Sequence, residues 1–124
     1  MQTQPASAQS AELNAAFHAA LARLAASPLL EREALRAHRL PLASPSAFLG
    51  SQAAQLEFRR SLIIAQSQHR AMLAAVSARE GSRAEALGRE HARLARQNFD
   101  AALRHGPEGS GGDIPGLALV SAQA

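Results

Sequence analysis

Cysteine, tryptophan, tyrosine and lysine are all missing from these 124 residues. Without cysteine there is no disulfide, no thiolate metal ligand and no thiol nucleophile, a pattern that fits a reducing compartment. Four Phe are the only aromatic residues, so packing falls to Leu, Ile, Val and above all Ala. A core built that way is thin, and a domain of this size gains from a bound metal or a partner chain. All 13 basic residues are arginine, the usage a GC-rich genome gives. They alternate with Glu to leave a net charge of only +3. No basic block or reading helix stands out, so direct DNA contact by this chain is not expected. No apolar run approaches the roughly 20 residues needed to cross a bilayer. The small, polar stretch 1–9 is not a signal peptide and is expected to be disordered. A soluble cytoplasmic protein without membrane contact is the expectation. Strand signals are absent as well, which leaves an all-α fold, an antiparallel helical bundle of about four helices.

What is present is helical periodicity. Leu13, Phe17, Leu21 and Leu24 repeat at helical spacing and predict a first helix from about Ser10 to Ala26. Ser27-Pro28 reads as an N-cap followed by proline at the first helical position, opening a second helix that Pro41 closes. Residues 40–51 read as a structured connection with a turn at Ser44-Pro45. A third helix is expected from about Gln52 to Arg79, ended by Gly81, with Leu62, Gln66, His69, Leu73 and Val76 as its buried seam. Ser82-Arg83-Ala84-Glu85 has the form of a capping box for a fourth helix to about Leu103, whose stripe is Leu87, His91, Leu94, Ala95 and Ala102. From His105 onward Gly, Ser and Pro dominate, so 105–124 is expected to be a flexible tail after a domain spanning 10–104.

Three histidines, His18, His69 and His91, fall within or beside the apolar stripes of three different helices, and Asn14 lies one turn before the first. Helical i, i+4 spacing puts Asn14 and His18 on one face. A single stripe histidine is more often a hydrogen-bonded core residue, but three with an added oxygen donor point equally to a metal. Buried neutral imidazoles carry a desolvation cost that a shared ion offsets. Three nitrogens and an amide oxygen suit Zn²⁺, Ni²⁺, Mn²⁺ or Fe²⁺ and leave room for a further ligand. With neutral donors only, the site keeps its double positive charge and should attract a small organic carboxylate. His38, beside Arg36 and Arg39 at a helix end, and His105 read as surface residues.

At these residues the chain resembles a known family. Glu-Leu-Asn-Ala-Ala-Phe-His (12–18) followed by Ser-Pro-Leu-Leu (27–30) is similar to the "D/N-x-x-F-H … N-P-x-L" segment of the FCD domain. That domain is the C-terminal effector-binding domain of FadR-type regulators in the GntR family. Residues 68–91, from Gln-His-Arg-Ala-Met-Leu to Gly-Arg-Glu-His, resemble its "H-R-A-I … H" segment, with the family's 22-position spacing between His69 and His91. The connection at 40–51 and Ile-Pro-Gly-Leu-Ala-Leu-Val near the end carry the likeness further. The resemblance implies that Asn14, His18, His69 and His91 bind a divalent metal. It also implies a small carboxylate effector, and a homodimer or a pairing with a full-length regulator.

The departures shape the expectation too. No winged-helix segment precedes residue 10, and the family's effector-contacting arginine has no match. The chain is therefore expected to be an N-terminally truncated, metal-containing sensing and dimerisation domain of a transcription regulator, not an enzyme. The alternatives are a fragment that depends on a partner or has no function, and a small metal-dependent hydrolase. The hydrolase needs a general base, and Glu90, adjacent to His91, points about 100° away from it on a helix.

Overall fold

A computed structural model describes residues 6–40 and 56–109. The connection at 40–51, the helix start at Gln52 and the apolar segment near the C-terminus lie, Leu40 apart, outside the described residues. Four helices are present among them and no strand, so the chain is all-α. They are α1 (Ala6–Arg23), α2 (Pro28–His38), α3 (Leu56–Ser77) and α4 (Gly81–Gly109). The chain divides into two compact units, one of Met1–Ala53 with His105–Ala124, the other of Ala54–Arg104. No helix among the described residues is long and apolar enough to cross a membrane.

In the first unit α1 and α2 form a hairpin. Helix α1 begins at Ala6, inside the stretch expected to be disordered, because alanine has the highest helix propensity. It stops at Arg23 rather than Ala26. Ala26 takes a left-handed φ of 48°, and its N–H bonds back to the Arg23 carbonyl at 3.0 Å. Ser27 is the N-cap the sequence predicts: its extended backbone frees the hydroxyl to accept from the Leu30 N–H, and Pro28 opens α2. Arg23 Nε and Glu31 Oε1, 3.1 Å apart, link the end of α1 to the first turn of α2. The half-buried side of α1 carries Ala11, Asn14, Phe17, His18, Leu21 and Ala22, while Leu13 and Leu24 of the expected stripe face solvent. Leucines on several sides of one helix leave its inner face undecided until a neighbour covers it.

In the second unit α3 and α4 form another hairpin, and its turn differs from expectation. The Glu80 N–H bonds the Ala75 carbonyl at 2.8 Å and the Arg79 N–H bonds that of Val76 at 3.0 Å, the paired bonds of a Schellman turn. Arg79, at φ 58°, holds the left-handed position usually given to glycine. Gly81 instead starts α4, and the Glu80 carbonyl accepts the first helical bond, from Ala84. The tight turn makes Glu80 both the last residue of the first motif and the cap of the next helix, so the Ser82–Glu85 capping box does not form. Glu85 pairs with Arg89.

Helix α3 buries Phe58, Ser61, His69, Met72 and Ala75. The expected seam is thus rotated: Gln66 and Leu73 are exposed, Leu62 and Val76 half-buried, and only His69 belongs to both sets. On α4 the half-buried residues Ala84, Leu87, His91, Leu94 and Asn98 keep the expected period, whereas Ala95 faces out. Its outer side is laced by Arg83–Glu80, Arg93–Glu90 and Arg96–Asp100, exposed pairs worth a few tenths of a kcal/mol each. The helix continues to Gly109 instead of ending near Leu103, since extending a formed helix is far easier than starting one.

Candidate metal centre

Antiparallel packing determines which residues of α3 and α4 meet. His69 and His91 stand about equally far from the Arg79 turn, so the hairpin brings them opposite each other. Their Nε2 atoms are 3.1 Å apart, with ring centroids at 4.5 Å and planes tilted by 56°. Gln68 Oε1 lies 2.9 Å from Nδ1 of the same His91 ring. Gln68 is half-buried and precedes His69 on α3, so two neighbouring side chains of one helix engage a single imidazole of the other.

Burial sets the charge of this pair. It pushes His69 from 6.5 down to about 4, with the His91 ring adding to the effect. Burial lowers His91 as well. Both rings are therefore neutral near pH 7, the protonation state in which imidazole ligates metals.

A stability consequence follows for protein prepared with a chelator. Between pH 6.5 and 4 the unfolded chain takes up a proton at residue 69 that the folded chain refuses. Stability should fall by roughly 2–3 kcal/mol over that window as acid is added, and this contribution should stay flat above pH 6.5. Urea midpoints measured across the window test it: a His69→Gln variant should lose most of the extra slope, and an unchanged slope contradicts the assignment.

Two nitrogens bound to one ion at 2.0–2.1 Å are about 3.3 Å apart in tetrahedral and about 3.0 Å apart in octahedral geometry. The observed 3.1 Å lies between these values, so the facing Nε2 pair fits a shared metal. Neutral imidazoles are also the donors such an ion prefers.

The remaining predicted ligands sit on α1. Asn14 and His18 share its half-buried side, as their spacing requires. The Phe17 and His18 rings meet edge-on at 5.5 Å. His18 on α1 is half-buried; in the other unit His91 is half-buried and His69 buried. The sequence places His38 on the surface, but it is half-buried, with its ring edge-on to His18 at 6.1 Å. Its position at a helix end beside arginines suggests a solvated side chain, and only the α1–α2 hairpin turns it inward. The side chain of His105 is outside the described residues.

Gln68 is given no role by the sequence pattern. Position 68 is on the same face as Ser61, Ala65 and Met72, so it becomes visible once the seam of α3 is rotated to its observed side. Among known proteins, the chain matches the FCD domain over residues 1–94. No curated protein and no solved structure matches it.

Proposed function

Because the chain belongs to the FCD-domain family, we propose that it is a metal-containing effector-binding and dimerisation domain of a GntR-type, FadR-like transcription regulator. In this reading Asn14, His18, His69 and His91 hold a divalent ion. The observation that carries it is the pair of neutral imidazoles on α3 and α4 whose Nε2 atoms face each other at 3.1 Å. Asn14 and His18 support it by occupying one side of α1 at the family's motif positions.

When bound, a divalent ion held by neutral donors supplies an uncompensated positive charge, which suits a small organic carboxylate effector. The protein's own part is to desolvate the imidazoles and keep them unprotonated, so that binding displaces few protons near neutral pH. Exposed Leu13 and Ile63 support a second copy or a full-length regulator as partner. Family membership favours a cytoplasmic regulator over the hydrolase.

Metal analysis after reconstitution tests this reading. Protein stripped by chelator, incubated with Zn²⁺, Ni²⁺, Mn²⁺ or Fe²⁺ and desalted should retain about one ion per chain. Protein that emerges without any of the four metals overturns it.

A further inference from the structure

We propose that Gln68 is a positioning residue that presents His91 to the metal through Nε2; this rests on the metal-binding reading above. Hydrogen placement on the ring is what Gln68 controls. A neutral imidazole carries one N–H, and the partner of one ring nitrogen decides which nitrogen has it. An amide oxygen can only accept, so Gln68 Oε1 at 2.9 Å requires the hydrogen on His91 Nδ1. His91 Nε2 then carries a lone pair, and it faces His69 Nε2, 3.1 Å away, from whose N–H it accepts while no metal is bound. Without such an acceptor, a histidine side chain prefers its hydrogen on Nε2, where it blocks ligation.

Gln68 is well placed for this task. It sits beside His69 in sequence, so the helix that supplies one imidazole also orients the other. Its half-burial limits competition from water for His91 Nδ1. Partners of this kind, bonded to the distal nitrogen of a ligating histidine, typically change metal affinity by about 10- to 100-fold when removed.

The test uses two readouts on the full chain. In metal-free protein, ¹⁵N spectra of the His91 ring should show a protonated Nδ1 and a bare Nε2. Gln68→Ala should move the hydrogen toward Nε2 and weaken Zn²⁺ binding, measured by competition with a chromophoric chelator, by about 10- to 100-fold. Gln68→Glu keeps an acceptor at the same place, so it should preserve the Nδ1–H form and bind Zn²⁺ at least as tightly as the parent. A His91 ring with hydrogen on Nε2 in the parent protein overturns the inference. So does a Gln68→Ala ring identical to the parent's, or a Gln68→Glu variant with affinity as low as that of Gln68→Ala. If the parent binds no Zn²⁺ while Gln68→Ala still shifts the hydrogen, the metal-binding reading fails and the orienting role of Gln68 is supported.

Discussion

Replacing His69 with alanine is expected to lower divalent-metal affinity by more than about 100-fold, beyond the loss typical of an outer partner. The ring is buried and its Nε2 faces that of His91, so no other side chain of α3 can supply the same donor. Losing it leaves His91 as the only imidazole of the α3–α4 hairpin at the proposed site. The metal's stabilising effect should vanish with it: at one hundred times the dissociation constant, bound ligand adds about 2.7 kcal/mol to a folded protein. Thermal melts with and without Zn²⁺ should therefore separate for the parent and coincide for His69→Ala. His38→Ala is the informative control. It removes a half-hidden imidazole that is not among the proposed ligands, and it should keep most of the Zn²⁺-induced shift. Equal losses in the two variants contradict the ligand set.

Met72→Ala is expected to destabilise the metal-free protein by about 2–5 kcal/mol, while the adjacent Leu73→Ala should cost less than about 1 kcal/mol. Met72 is 2% exposed and Leu73 49% exposed, although the apolar rhythm of the sequence ranks Leu73 as the seam residue. The buried hydrophobic residues among the described part of the chain are few: Phe58, Met72 and Ala75. With so small a core, one thioether is a large share of a total that is commonly about 5–15 kcal/mol for whole domains. Urea titrations of both variants give the comparison directly. A larger loss for Leu73→Ala refutes the observed orientation of α3.

Some of the candidate site is legible in the order of the residues alone. Asn14 and His18 have to share a face because the helical period dictates it, and the family motif points to His69 and His91. The facing of those two rings is not legible there, since it depends on a turn whose left-handed residue is Arg79 and not the expected glycine. Gln68 and His38 are hidden for a related reason: each becomes relevant only through a side chain on another helix.

By itself, then, the sequence determined an all-α chain, the Ser27-Pro28 helix start and the period of α4. These depend on local propensity, capping and spacing, which act within about one helical turn. Tertiary structure decided which side of α1 and α3 turns inward, where the α3–α4 turn closes, and which nitrogens meet. Both helices carry apolar residues on several sides, with Leu13, Ile63 and Leu73 left outside. Periodicity says which residues share a face, but only the packed neighbour chooses the face that is covered.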